Sequence, residues 1–565
     1  MSRHSRSRRV HPPGRSSGRS DVRRVLLASD LGSQEVAALL KPHGLADISR
    51  ADANLQAMAG DPRSRQLLAS ILPELLNEIG RTADPDQALD HWELFLQRVN
   101  RAQLFAYLSS VPSMLYLLCA MFGNSPFLAS TLIRDPLLVY WLAEEQVLAR
   151  GASRRELERT LQSILTNLRA TELKLDALRR FKRREMLRIG VRDLLRLADV
   201  AETTAALSDL AGVLIQAAYE IVDHDLRRRH GVPSHRDQNG KTVETGFAVM
   251  AMGKLGGNEL NYSSDVDLLY VYADEGRTRT PEGAPSQRAI SNEEYFEYLA
   301  RDLTRALSEP TQEGYVFRVD LRLRPEGTVG RLARSLAEYE RYYQTRGRPW
   351  ERLALLKAWP VAGSGEVGRR FLRLVHPFIF LSNGHPAGAE ASGLLREVKA
   401  IKGMIDERMA SRGHQQRNVK LGIGGIREVE FVVQALQVLL GHHVPEVCER
   451  NTIHALEKLA RHRILSAPDS TALSVAYTFL RDVEHKLQMV HDLQTHSLPA
   501  KVEEIRKCAL RLGYRRRGRR DPSALLLADH RRHTRHVHQI FQRLFDPSPR
   551  GQLLAPIVRK VLKTR

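Results

Sequence analysis

The chain has 565 residues, 42% hydrophobic and 27% charged, with three cysteines and a formal net charge of +21. A single core stops growing near ~250–300 residues, so this length implies several domains, and the composition excludes a wholly disordered chain. Cys119, Cys448 and Cys508 lie far apart without CxxC spacing, which argues against a disulfide framework or a zinc ribbon and fits a reducing cytoplasm.

Residues 1–25 hold eight Arg against one Asp, among Ser, Pro and Gly, and read as a disordered basic tail. The apolar patch from Val25 to Ala28 is too short for the core of a signal peptide, and no apolar run approaches the ~20 residues of a membrane span. Residues 26–240 follow a helical period, with long segments such as 160–197. Around Lys241 the period changes. Residues 247–252 and 266–272 are short runs of β character, a helix is expected over 291–308, and a strand over 315–323, so 241–335 reads as a mixed α/β domain. Helical patterns return over 336–445, at 340–357, 391–410 and 426–440. An antiparallel helical bundle is expected over 446–550, and 551–565 reads as a tail or truncated linker. The charge first suggests nucleic acid, but it concentrates in the tail and in the run Arg515 to Arg520, which read as solvated; with 6% aromatic residues, an RNA-stacking surface is not expected either.

The chemistry concentrates in Gly253-Lys-Leu-Gly-Gly-Asn-Glu-Leu-Asn-Tyr-Ser-Ser-Asp-Val-Asp267. Carboxylates at i and i+2 of an extended segment share one side, so Asp265 and Asp267 are placed to share a divalent cation such as magnesium, which prefers oxygen ligands. Gly256 and Gly257 let backbone approach a phosphate, and Ser263 or Ser264 offers it a hydroxyl. In the expected strand, Val319, Leu321 and Leu323 alternate with Arg318, Asp320, Arg322 and Arg324, which puts a third carboxylate among arginines. Asp320 is expected to complete a metal site, with Arg322 or Arg324 clamping phosphate oxygens. Lys254 precedes the glycines, so the segment is not a Walker A loop. Gly422 to Gly425 reads mainly as a loop and helix cap, with Glu428 and Glu430 complementing the helix dipole, and a nucleotide or phosphate contact at the helix start as the alternative. His530, His533, His536 and His538 read as a solvated basic helix face.

These motifs, with Val319-Asp-Leu-Arg-Leu-Arg-Pro325, resemble the nucleotidyltransferase signature of the glutamine synthetase adenylyltransferase/adenylyl-removing enzymes. The blocks Arg179 to Ile189, Trp350-Glu-Arg352, Ile423 to Phe431 and Val483 to Val490 agree with that family, over roughly residues 123–545. The resemblance implies a DNA polymerase β-like α/β nucleotidyltransferase domain flanked by all-α helical domains. It also implies magnesium, ATP or ADP and orthophosphate as ligands, glutamine synthetase as protein substrate, and regulation through a PII signalling protein. One domain of this kind stands behind a long helical region, which resembles the N-terminal, adenylyl-removing half, in a fragment or a shortened member. The residues themselves leave the direction open between AMP removal and AMP attachment. A template-independent RNA nucleotidyltransferase and a non-catalytic regulatory module are the competing readings.

Overall fold

The computed structural model describes residues 21–279, 289–380, 387–411, 416–491 and 494–545. Residues 1–20 of the expected basic tail and the segment 551–565 lie outside the described residues. The chain divides into two compact units, Met1–Pro136 and Leu137–Arg565.

The described part of the first unit is helical, and its helix starts are written in the sequence. Asp61 accepts hydrogen bonds from the backbone N–H groups of Arg63 and Ser64 ahead of Pro62–Gly80, and Asp84 from that of Gln87 ahead of Pro85–Leu96. Each aspartate is followed by proline, whose missing N–H is harmless in the first turn. The apolar faces close around Trp92, Phe95 and Phe122, whose rings contact one another.

The second unit opens with the short helices Leu138–Leu142 and Glu145–Ala149, followed by Arg154–Thr166, Thr171–Leu194 and Val200–His230, so the segment 160–197 is two helices rather than one. Against the expectation of no such run, Val200–His230 is long and apolar enough to cross a bilayer, with 67% of its most apolar 18-residue window buried within the fold. Eight strands follow among the described residues: β1 (Val232–Arg236), β2 (Thr242–Glu244), β3 (Phe247–Ala251), β4 (Val266–Tyr272), β5 (Arg277–Arg279), β6 (Val319–Asp320), β7 (Ala333–Ser335) and β8 (Trp359–Gly363). A small sheet has the order β2-β1-β5. The larger one has the order β6-β4-β3-β8, with β7 also paired to β4.

β3 and β4 form the antiparallel centre of the larger sheet. β3 is buried throughout and β4 nearly so, because helices cover both faces. On one face Phe247 stacks with Tyr219, Tyr270 and Phe296; on the other, Met250, Leu269 and Val271 pack with Tyr339, Tyr343 and Phe371. This two-sided burial explains why 247–252 and 266–272 read as near-continuous apolar runs. β8 pairs antiparallel with β3, but the segment 340–357 that leads to it reads as one helical pattern and hid the strand. The last helices, Ile426–Leu440, Thr452–Arg461, Ala467–His491, Val502–Arg511 and Pro522–Phe545, share a second core around Val432, Leu436, Leu456, Leu480 and Ile540.

The expected strand over 315–323 is only two residues long. β6 runs parallel to the start of β4, with Val319 opposite Val266 and Asp320 opposite Asp267, and then stops. The Asp320 carboxylate accepts from the Arg322 backbone N–H (2.9 Å), a side-chain turn that bends the chain out of the sheet. Glu326 and Gly327 take positive φ (64° and 60°), and the chain rejoins the same edge of β4 as β7, opposite Tyr270 to Tyr272. Arg324 holds this excursion together. Its buried guanidinium donates to the carbonyls of Leu321 (2.9 Å), Thr328 (3.0 Å) and Gly330 (3.1 Å). Arg324→Ala should therefore lower the stability of the second unit by about 1–3 kcal/mol, the cost of leaving buried carbonyls without donors, measurable by urea titration.

Candidate active site

Where β4 meets β6, a cavity of about 420 Å³ opens beneath the turn that begins at Gly253. Asp265, Asp267 and Asp320 all line it. Asp267 and Asp320 are register partners on neighbouring parallel strands, roughly 4.8 Å apart across the ladder. Burial, then the charges of Asp320 and Asp265, push the Asp267 carboxyl up to about 6, partly opposed by Lys420 and Arg427. Asp320 behaves differently. Against the upward pull of partial burial, hydrogen bonds from the side chain and backbone of Arg322 hold it below the usual carboxylate range. Two facing carboxylates thus differ in proton affinity because one has donors and the other has neighbours of like charge.

Asp265 is held by Arg318, whose Nε donates to Oδ1 (2.6 Å) while its other nitrogens reach the Ser263 carbonyl (2.5 Å) and the Tyr315 hydroxyl (2.8 Å). Among the described residues, no three acidic, His or Cys side chains are gathered closely enough to hold a metal by themselves. Magnesium rarely requires that: it binds through one or two carboxylates together with substrate phosphates. The mutual repulsion at Asp267 is what a cation placed against Asp320 or Asp265 would relieve, so the oxygen donor set fits such an ion.

The other expected phosphate ligands are placed differently. Ser264 and Arg322 line the cavity, and Arg322 is largely exposed. Arg324 is committed to the three carbonyls of its loop. Gly256 and Gly257 face protein. A Cβ on Gly256 would lie 1.9 Å from the Lys357 carbonyl, and one on Gly257 3.1 Å from the Arg450 carbonyl, so this pair serves close backbone packing. The glycine against the carboxylates is Gly253, with φ +55° and an added Cβ only 2.5 Å from Asp267 Oδ2. Gly253→Ala should displace that carboxylate and lower turnover about 10²-fold, with circular dichroism unchanged.

The rest of the motif anchors it. Lys254, Glu259, Asn261 and Tyr262 do not reach for a ligand alone but bind the helix Ala467–His491 and its neighbours. Lys254 donates to Glu484 (3.1 Å), and burial depresses its ammonium to about 7. Asn261 accepts from Arg481 and bonds His485 (2.8 Å), Tyr262 donates to Asp193 (2.9 Å), and Glu259 pairs with Lys357 (2.6 Å). The block Val483 to Val490 is the other half of this contact.

Residues without an expected site role complete the cavity. Trp350, Leu353, Ile401, Ile405 and Phe431 form an apolar wall, and Lys420 and Arg427 a cationic one. Glu428 does stand in the first turn of Ile426–Leu440, but it and Glu430 also serve buried ion pairs. Both are buried, Glu428 against Lys402 (3.0 Å) and His538 (3.1 Å), Glu430 against Lys357 (3.4 Å) and Arg427 (3.5 Å). The histidine run is likewise split: His530 and His533 are buried, His536 is exposed and His538 meets Glu428.

A family model for glutamate–ammonia ligase adenylyltransferase matches residues 115–374, and one for the GlnD PII-uridylyltransferase matches 399–545. Among curated proteins, the bifunctional glutamine synthetase adenylyltransferase/adenylyl-removing enzyme of Nitrosococcus oceani is 39% identical over 428 residues, covering 76% of this chain and 42% of that protein. Its counterpart in Thioalkalivibrio sulfidiphilus is 37% identical over 468 residues, 82% of this chain and 43% of that protein. That of Rhizobium meliloti is 39% identical over 407 residues, 70% and 39%. The chain spans about two fifths of the length of these relatives.

Proposed function

We propose that the chain is a nucleotidyltransferase of the DNA polymerase β-like kind that removes AMP from an adenylylated tyrosine of glutamine synthetase, in the manner of the N-terminal half of its relatives. The observation that carries this reading is a single cavity with three walls: the carboxylates Asp265, Asp267 and Asp320, the cations Lys420 and Arg427, and an apolar face of size to take a nucleoside. The names of the relatives supply the substrate, and the match of 399–545 to a PII-uridylyltransferase model supports a PII protein as regulator. A cytoplasmic setting follows from such partners.

In this reaction an orthophosphate oxygen attacks the phosphorus of the tyrosine-linked AMP. The new P–O bond gives ADP, the P–O bond to tyrosine breaks, and the phenolic oxygen takes up a proton from hydrogen phosphate. Asp267, with Asp320 or Asp265, would hold magnesium, which supplies charge neutralisation at the transferring phosphoryl group. Arg318 keeps Asp265 turned to the cavity, Ser264 offers a hydroxyl at its edge, and Arg322 is free to leave Asp320 for a phosphate oxygen. Since the nucleophile is already an anion, positioning matters more than a strong base.

Incubation of the chain with adenylylated glutamine synthetase, magnesium and orthophosphate should release ADP, and Asp265→Ala and Asp267→Ala should not while retaining their fold. AMP transfer from ATP without ADP release would reverse the direction. Neither activity, with tight PII binding, would leave a regulatory module.

A further inference from the structure

Resting on that reading, we infer that Lys420 and Arg427 form the subsite for the second phosphate, the orthophosphate that attacks AMP, and that the glycine-rich segment between them exists to fix their spacing. The segment is a closed loop ahead of the helix Ile426–Leu440. Asn418 Oδ1 accepts from the backbone N–H groups of Lys420 (3.0 Å) and Leu421 (2.7 Å). The loop then returns on itself, Ile426 N–H donating to the Val419 carbonyl (2.9 Å) and Arg427 N–H to that of Lys420 (3.0 Å). The two cationic residues are therefore locked side by side through their backbones.

The glycines make this closure possible rather than touching a ligand. Gly424 has φ +68°, and a Cβ there would lie 1.8 Å from the Thr534 carbonyl; one on Gly425 would lie 2.8 Å from the Val419 carbonyl. The N–H groups of Lys420, Leu421, Gly422, Gly425, Ile426 and Arg427 are taken by the loop's own oxygens. What it presents to the cavity is its two flanking cations.

Five cationic side chains line the cavity, and three have carboxylate partners within 3.2 Å: Lys254 on Glu484, Lys357 on Glu259 and Arg322 on Asp320. The remaining two are less committed. Among the described residues Arg427 meets the Glu430 carboxylate at 3.5 Å and lies over the Phe431 ring at 5.7 Å, and its buried Nε has no hydrogen-bond partner. Lys420 is half-buried, and its charge is felt at Asp267 and Glu430, together with that of Arg427. Two cations with spare donors, fixed beside the carboxylate that would carry the metal, match a compact dianion that must sit next to the AMP phosphorus.

The test uses the whole chain and two readouts. Isothermal titration of orthophosphate in the presence of magnesium should show affinity falling about 10- to 100-fold in Lys420→Gln and in Arg427→Gln, the loss expected for a charge-assisted hydrogen bond. In steady-state deadenylylation, the same variants should raise the KM for orthophosphate by a similar factor and leave that for adenylylated glutamine synthetase unchanged. Orthophosphate affinity equal to wild type in both variants overturns the subsite, whether or not the chain turns over. So does a loss of pyrophosphate affinity with orthophosphate affinity retained, which would assign the two cations to the tail of ATP. An inactive wild type that still binds orthophosphate through these residues would instead defeat the removal reading and leave the subsite standing. Melting temperatures equal to wild type exclude misfolding, and Lys420→Arg should restore most of the affinity.

Discussion

Asp267→Asn is expected to abolish AMP transfer in either direction, by at least about 10³-fold in kcat, while making the metal-free protein more stable at neutral pH. Both effects have one cause. The Asp267 carboxyl is pushed up to about 6 from 3.8, by burial first and then by the charges of Asp320 and Asp265. Below pH 3.8 the folded and unfolded chains both carry this proton, and above about 6 neither does. In between, the folded chain holds a proton that the unfolded chain has released, so stability falls as the pH rises through that window. With some screening by water in the cavity, the fall is about 2 kcal/mol, and it persists at pH 7. Asparagine has no charge to repel. In the presence of a chelator the variant should melt a few degrees above wild type at pH 7, and the difference should vanish near pH 4. Adding magnesium should raise the melting temperature of wild type and leave that of the variant in place. A variant that melts below wild type at pH 7 would mean that Asp267 is held by partners and is not a strained ligand.

Much of this site was legible because its parts are local. The central strands β3 and β4 announce themselves as short runs of β-branched and aromatic residues, and Asp265 and Asp267 sit where a strand of period two must show them. Asp320 was legible for the same reason. The end of its strand was not, since the alternation from Arg318 to Arg324 continues past the point where the Asp320 side chain caps its own turn. A pattern of side chains does not reveal that a carboxylate will accept from the backbone two residues on. The glycines misled in a related way. Gly256 and Gly257 have the look of a phosphate loop, whereas steric contact with Lys357, some hundred residues away, is what requires Gly256. Lys420, Arg427, Trp350 and Phe431 come to the cavity from helices and loops that only tertiary packing brings there; the last three lie in blocks that carried family likeness without a role, and Lys420 lies in none.

Glu484→Ala should be the most destabilising single substitution in the second unit, by about 3–5 kcal/mol, because it strips the counter-ion from a buried cation. Glu484 is fully buried on the helix Ala467–His491. It accepts from Lys254 Nζ (3.1 Å) and Asn261 Nδ2 (2.5 Å), and lies 2.7 Å from His496 Nδ1 and 3.4 Å from Arg481 Nε. Despite the upward push of burial, Lys254, the His496 contact and Arg481 hold its carboxyl well below the usual range. Two of those contacts, Lys254 and Asn261, belong to the segment that carries Asp265 and Asp267, 230 and 223 residues away in sequence. Losing Glu484 therefore frees the turn at Gly253 as well as the helix, and activity should fall before global unfolding is reached. A double-mutant cycle separates the two effects. Adding Lys254→Met to Glu484→Ala removes the orphaned ammonium and should recover part of the stability, while Arg481 stays without this carboxylate. It should not recover turnover, because the bonds from Lys254 and Asn261 to Glu484 are missing in both variants and only those of Asn261 to Arg481 and His485 remain. Equal urea midpoints for wild type and Glu484→Ala would show that the ion pair does not hold the site to the helical bundle, and full activity in the double variant would show that the tether is dispensable for placing the aspartates.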